Sequence, residues 1–311
     1  MSDFSIGDAY GSGFRLVARH PWFAFVWGVI YLLLTYLPML LLIPALGPAL
    51  THPTAFGPGG NLAQAMQMEG GVMTVQPLIW VGSMLARVVM TAAIFRAVMQ
   101  PQDVGFAYLR LGQKELWLGL LFLAMVALVI VGTILVLIPT FVLLAVAGFA
   151  IGQGGAGGAG ALVVIPVMLA IIVLAIWLSL RFSLAAPMTF AAGEFRLFES
   201  WALTKGRAWK LLGLAVLLVL TLLGVSIVVF GLLAAVVFGV MGGNFSPGAL
   251  AGGWRPSAGL LGLLSIGGIV GFLVVSFFTG AVSAIFSAPW AVVYQELAGP
   301  STEAIAATFD A

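Results

Sequence analysis

Residues 117–142 read WLGLLFLAMVALVIVGTILVLIPTFV, a run without a single charged side chain. At about 1.5 Å per residue the run makes a helix of about 39 Å, longer than the roughly 30 Å hydrocarbon core of a bilayer. Charged residues make up 7% of the 311-residue chain and apolar residues 62%, whereas a soluble domain carries about 25% charged residues. The sequence therefore predicts a membrane protein.

Five further apolar runs are long enough to cross a bilayer. With the first run they predict an all-α, polytopic fold with six transmembrane helices, at about residues 22–43, 72–96, 117–142, 161–180, 211–241 and 259–293. The run nearest the amino terminus, at about residues 22–43, is about twice as long as the apolar core of a signal peptide, so we interpret it as an uncleaved anchor. Several runs exceed the minimum length, and we expect the helices to kink at Pro139, Pro166 and Pro187.

The remaining composition excludes several functions. The chain has no cysteine, so a disulfide framework, a thiolate nucleophile and a cysteine-ligated metal are excluded. Its two histidines, His20 and His52, are predicted on opposite sides of the membrane and do not support a serine–histidine nucleophile. A net charge of +2 is too small for a nucleic-acid binder. We therefore expect no cofactor, no metal and no nucleic-acid partner.

Lysine and arginine are distributed unevenly between the two predicted faces. Ten of them fall on one side or at its border, and Arg255 falls on the other. By the positive-inside rule this bias predicts a multi-pass protein of the bacterial inner membrane with both termini in the cytoplasm. The outer connections at residues 52–60 and 242–259 are rich in glycine, proline and asparagine, and we expect turns there.

Three segments share a pattern of basic residues followed by a tryptophan at the start of a span. They read FRLVARHPW (14–22), LRLGQKELW (109–117) and LTKGRAW (203–209), and their tryptophans are 95 and 92 residues apart. The spacing predicts one transmembrane domain, 1–311, built from three copies of an interfacial helix and a hairpin, at about 1–100, 101–193 and 194–298, with a tail at 299–311. The alternative is that arginine and tryptophan simply prefer helix borders. The predicted interfacial anchors are Trp22, Trp117, Trp209, Lys205 and Arg207.

The first of these segments has a clear helical period. Ile6, Tyr10, Phe14 and Val17 recur on one face, and polar residues share another face. This pattern predicts an amphipathic helix that lies in the bilayer surface and anchors the bundle.

Two stretches, RFSLAAP (181–187) and ESWALTKGRAWKLL (199–212), resemble a bacterial inner-membrane family. The family includes the membrane domain attached to some glycerophosphoryl diester phosphodiesterases and many stand-alone multi-span proteins. The resemblance implies a hairpin-based membrane domain without an established general activity. Where the phosphodiesterase is present, its chemistry resides in a separate soluble barrel. No such domain follows Glu296, so we do not expect that activity here.

Arg87 and Arg181 are the sharpest candidates for function. Each lies in or beside an apolar span, and they fall within one position of each other when Ala93 is aligned with Ala186. Charged groups at membrane depth usually face the bundle interior, a wet cavity or a partner. A guanidinium matches a phosphate in two-point geometry, so we expect both arginines to bind an anionic lipid headgroup in a common groove. The alternative is that they snorkel to the interface without a ligand.

Other polar residues have structural interpretations. Glu199 is expected to pair with Arg196, and Asp103 and Glu115 are expected to be solvated. Arg96, Lys205 and Arg207 are expected to add surface charge without defining the site. Small residues at four-residue steps in the sixth span predict close helix packing, against either this chain or another copy: Gly267, Gly271, Ser276, Gly280, Ala284 and Ala288.

These patterns favour a non-catalytic membrane protein that associates with lipids or acts as a scaffold. The main alternative is a transporter or lipid-moving permease, because internal repeats recur in transporters. A continuous cavity lined by polar residues would favour transport, and a packed bundle with a basic groove would favour the scaffold. Membrane lipids with anionic headgroups are the expected partners, and homo-oligomers are compatible with the sequence.

Overall fold

The computed structural model describes residues 4–38, 62–102, 105–152, 158–240 and 266–299. Within these residues all regular structure is helical and no strand occurs. The predicted outer turns at 52–60 and 242–259, the ends of several predicted spans and almost all of the predicted tail lie outside the described residues. The helices are α1 (Ile6–Arg19), α2 (Pro21–Tyr36), α3 (Leu62–Met99), α4 (Gln113–Gly152), α5 (Gly158–Phe182), α6 (Ala185–Ala192), α7 (Glu199–Thr204), α8 (Ala208–Val240) and α9 (Ile266–Ala298).

Five stretches of the described chain are long and apolar enough to cross a membrane. A sixth is added if α1 and α2, which meet at 92°, are counted as one span. The predicted all-helical fold, with five or six helices long and apolar enough to cross a membrane, is thus confirmed for the described residues. The five stretches are Val75–Met99, Phe106–Val142, Pro166–Ala192, Ala208–Leu232 and Ile269–Ala298.

The bend between α1 and α2 has a local cause. Ser5 caps α1 by accepting a hydrogen bond from the Asp8 backbone N–H at 3.3 Å, and Arg19 lies in the last turn, where a cation is favourable. His20 leaves helical geometry, and Pro21 then starts α2 at a position that needs no backbone N–H donor. The helix predicted to contain Ile6, Tyr10, Phe14 and Val17 is thus confirmed as α1, and its location in the bilayer surface stays a prediction.

In the other two predicted repeats, the element before the span is shorter than α1. The second basic segment directly follows a 3₁₀ turn, Phe106–Tyr108, and the third overlaps the six-residue helix α7. A threefold repeat of helix and hairpin therefore stays a prediction.

The prolines act differently from one another. Pro139 and Pro166 lie inside the continuous helices α4 and α5, so neither breaks its helix. Pro187 follows the turn at residues 183–184 that separates α5 from α6. Its ring nitrogen has no hydrogen for the Ser183 carbonyl, which explains why the helix is interrupted there.

Packing divides the chain into two compact units. The amino-terminal unit comprises Ser5–Arg110 and Ala215–Val292, and the central unit comprises Leu111–Leu214 with Met1–Phe4 and Val293–Ala311. The amino-terminal unit therefore contains α1, α2, α3 and most of α8 and α9, whereas α4 to α7 belong to the central unit.

In the amino-terminal unit, helices approach so closely that backbones touch. A Cβ atom at Gly28 of α2 would overlap the Ser276 carbonyl of α9, and one at Gly280 would overlap the Ala24 carbonyl. Ser276, Gly280, Ala284 and Ala288 are buried. The predicted small-residue stripe therefore packs against the same chain over this part of its length, against α2 at Ser276 and Gly280 and against Gly13 of α1 at Ala284. Gly271 has open space beside it and does not contribute to this helix contact.

The central unit is packed mainly near the ends of its helices. Leu118 and Leu121 of α4, Leu184 and Phe190 are fully buried, and α4 contacts α6. Farther along α4, from Leu128 to Val142, most apolar side chains are exposed. Such a surface suits lipid chains, which are as apolar as leucine.

Candidate functional site

Arg181 lies at the second-to-last position of α5, and two tryptophans flank its guanidinium group. The Arg181 Cζ atom is 5.4 Å from the ring centroid of Trp177 and 5.4 Å from that of Trp201. The two indole rings meet edge to face with centroids 5.0 Å apart. An aromatic face attracts a cation without accepting its N–H groups in the usual hydrogen-bond geometry. The two rings therefore hold the guanidinium and leave its donors available.

Helix α7 is docked onto this end of α5 by the backbone of Arg181 itself. The Ser200 hydroxyl donates to the Arg181 carbonyl at 2.7 Å, and Ser200 is fully buried. That carbonyl is free to accept because α5 ends one residue later. The helix break before Pro187 is thus what allows Ser200 and Trp201 to reach Arg181.

The hydrogen bonds of the Arg181 side chain are incomplete. Its Nη1 atom lies 3.5 Å from the Trp201 carbonyl and 3.5 Å from the Thr204 hydroxyl, which are long contacts. Its Nε atom is buried and has no hydrogen-bond partner. No acidic side chain of the described residues pairs with Arg181. The buried Nε atom is out of reach of a ligand, but the long contacts of Nη1 leave that part of the guanidinium weakly bound, so a ligand that supplies oxygen acceptors to it is favoured.

The residues of this site come from the two stretches that carry the family resemblance. Arg181 belongs to residues 181–187, and Ser200, Trp201 and Thr204 belong to residues 199–212. The structure brings these stretches together around the guanidinium. Trp177 completes the site, and sequence reasoning did not single it out. Its position four residues before Arg181, on the same face of α5, was the available signal.

Arg87 has a different environment. It lies within α3 with an exposed side chain, and no hydrogen bond or ion pair joins it to another described residue. Arg87 belongs to the amino-terminal unit and Arg181 to the central unit. The predicted common groove for the two arginines therefore stays a prediction.

The predicted interfacial anchors are mostly exposed. Trp22 is 64% exposed and Trp209 is 85% exposed, and Lys205 is also exposed. Trp117 is half-buried, and its indole N–H is buried without a partner. Arg207 is partly engaged, because its Nη1 atom donates to the Leu203 carbonyl at 3.1 Å.

Four exposed aromatic and basic side chains and the half-buried Arg207 adjoin the Arg181 site. Phe198 precedes α7 and Trp201 lies within it, while Lys205, Arg207 and Trp209 follow it. We call these five residues the α7 surface. Aromatic rings and basic side chains are the groups that prefer the headgroup layer of a bilayer.

The structure confirms one prediction about the remaining charged residues and contradicts another. Arg196 contacts Glu199 at 3.0 Å, as predicted, and also Glu194 at 3.4 Å. Glu115 was expected to be solvated, and this is wrong, because it is only 4% exposed. It lies in the first turn of α4, where the helix dipole stabilises a carboxylate. Asp103 lies outside the described residues.

Arg96 was expected to add surface charge, and this is also wrong. Its side chain is 4% exposed, and its Nη1 atom donates to the Tyr108 carbonyl at 2.6 Å. Nothing in the apolar period of α3 distinguishes the buried Arg96 from the exposed Arg87.

Comparisons with known proteins return no relative. No protein-family model, no curated protein and no solved structure matches the chain.

Proposed function

We propose that this chain is a non-catalytic protein of the bacterial inner membrane that binds anionic lipid at Arg181. The observation that carries the proposal is the Arg181 guanidinium, which two tryptophans orient while its Nη1 atom has only two contacts, both long at 3.5 Å. The ligand would be a headgroup that bears a phosphate, since phosphate oxygens match guanidinium donors. Its acyl chains would lie along the exposed apolar side chains of the central unit.

The surroundings of Arg181 support a lipid rather than a soluble anion. The α7 surface presents Phe198 and Trp209 beside Lys205 and Arg207, and each basic residue near an anionic membrane contributes about 1 kcal/mol. In this proposal Arg87 is a second, weaker contact, because among the described residues it has no counterpart of the aromatic clamp that Trp177 and Trp201 form around Arg181.

Lipid retention tests the proposal. Purification of the Arg87→Gln/Arg181→Gln double variant, followed by mass spectrometry of the co-purified lipids, is expected to show a marked loss of anionic lipid. The double variant Arg15→Gln/Arg19→Gln is the matched control, because it removes the same charge from the exposed side of α1. Equal anionic lipid content in the two variants would leave snorkelling as the sufficient explanation for Arg87 and Arg181.

We also propose that both termini are cytoplasmic, on the basis of the lysine and arginine distribution. Reporter fusions after Gly60, Gly155 and Gly248 are expected to give an external signal, and a fusion after Ala311 a cytoplasmic signal. An external signal at Ala311 would overturn this orientation and, with it, the cytoplasmic placement of Arg181.

A further inference from the structure

The segment between α3 and α4 contains a tight turn whose backbone conformation is unfavourable for the residues that occupy it. The backbone N–H of Leu109 donates to the Phe106 carbonyl at 2.9 Å, which closes a four-residue turn. Its two central residues, Ala107 and Tyr108, have positive φ angles of 50° and 58°. Two consecutive positive φ angles define a type I′ turn, which normally contains asparagine and glycine. Alanine and tyrosine are strained in this conformation because of their Cβ atoms.

Two buried side chains hold the strained turn. The Trp27 indole N–H of α2 donates to the Ala107 carbonyl at 2.8 Å. The Arg96 guanidinium of α3 donates to the next carbonyl, that of Tyr108, at 2.6 Å. Consecutive carbonyls of one turn are therefore bound by donors from two different helices.

The Tyr108 side chain adds two more contacts. Its hydroxyl donates to the Pro101 carbonyl at 3.2 Å, and its ring meets the Phe23 ring edge to face with centroids 5.7 Å apart. Strained backbone persists only where surrounding contacts over-determine it, and it is concentrated at clamps and switches.

We propose that residues 105–110 form a releasable clasp that fastens the chain to α2 and α3 where it leaves the amino-terminal unit. The first segment of that unit ends at Arg110, so the clasp is the last point of attachment of this segment before α4 begins. When the clasp is closed, the hydrogen bonds from Trp27 and Arg96 offset the backbone strain at Ala107 and Tyr108. When it opens, these hydrogen bonds break and the strain is relieved, so opening the clasp costs less free energy than unfolding the surrounding helices.

Hydrogen exchange of the full chain, measured by mass spectrometry on the peptide that contains Leu109, tests the clasp. Trp27→Phe removes the indole donor and keeps an aromatic ring, so exchange of this peptide should accelerate about tenfold. Trp22→Phe is the matched control, since Trp22 is largely exposed on the same helix, and it should leave the rate unchanged.

The decisive variant is Ala107→Gly. Glycine has no Cβ, so it relieves the strain of a φ angle of 50° and should slow exchange about fivefold. In an unstrained turn the same change would accelerate exchange. The clasp is refuted if Ala107→Gly speeds exchange or leaves it unchanged, or if the wild-type Leu109 amide exchanges as slowly as the α3 amides around Ile94. Because Ala107→Gly is expected to stabilise the fold, it decides the question even if Trp27→Phe does not fold.

Discussion

The amino-terminal and central units associate their helices by different physical means. In the amino-terminal unit, glycines bring α2 into backbone contact with α3 and α9, and 44% of an apolar 18-residue window within Val75–Met99 is buried. Only 6% of the corresponding window within Phe106–Val142, most of which belongs to the central unit, is buried, and α7 is attached to α5 by Ser200 and by the tryptophans around Arg181. Backbone packing leaves no room for a ligand, whereas side-chain contacts at a helix break do.

The two units also differ in their buried polar atoms that have no hydrogen-bond partner. Three buried N–H donors of described central-unit residues have no partner, those of Trp117, Arg181 and Arg196. In the described part of the amino-terminal unit the corresponding group is a single hydroxyl, that of Thr35. The unmatched buried N–H donors of the described residues therefore lie in the central unit, the unit that contains Arg181.

The largest loss of stability is expected when one methyl group is added to a glycine at a helix contact. Gly280→Ala places a Cβ against the Ala24 carbonyl, where neither backbone can yield, and should cost about 3 kcal/mol or more. Gly132→Ala in α4 is the matched change in the central unit. No atom lies within 4 Å of the new Cβ there, so stability should be unchanged or raised by up to about 1 kcal/mol. Unfolding in detergent measures both, and similar losses would abolish the distinction between the units.

An intermediate effect is expected from Ser200→Ala. The variant removes the buried hydroxyl that binds the Arg181 carbonyl and should destabilise the protein by about 1–3 kcal/mol. Ser179→Ala is the control, because the exposed Ser179 hydroxyl donates within its own helix to the Ala175 carbonyl at 2.8 Å. If the two variants lose the same stability, Ser200 is not what docks α7 on α5.

The smallest effect is expected from Glu199→Gln. The Arg196–Glu199 pair is well exposed on both side chains, and exposed pairs contribute about 0–1 kcal/mol. Chemical denaturation of the two single variants, Glu199→Gln and Glu194→Gln, should show that each lowers the free energy of unfolding by an amount within this range. A loss above about 2 kcal/mol would mean that charge, rather than Ser200 and the aromatic rings, attaches α7.

The sequence predicts the helical membrane fold because 20-residue apolar runs have few alternative structures in a bilayer. It also predicts the packing stripe, since small residues at four-residue steps permit close approach. It predicts kinks at Pro139, Pro166 and Pro187 alike, but it does not distinguish Pro187, which follows a helix break, from Pro139 and Pro166, which lie inside continuous helices. Burial of Arg96 and Glu115 was also missed. Their partners are set by tertiary contacts rather than by the period of their own helices.

The central claim is that the aromatic clamp makes Arg181 a headgroup site and that Arg87, which has no clamp, is at most a weak contact. The most direct test is the affinity of the purified protein for a phosphate-bearing anionic lipid, measured for wild type, Arg181→Gln and Arg87→Gln. We predict that Arg181→Gln weakens binding more than tenfold, whereas Arg87→Gln weakens it by no more than about fivefold, the effect of one charge near an anionic surface. Equal, small losses in the two variants would contradict the account.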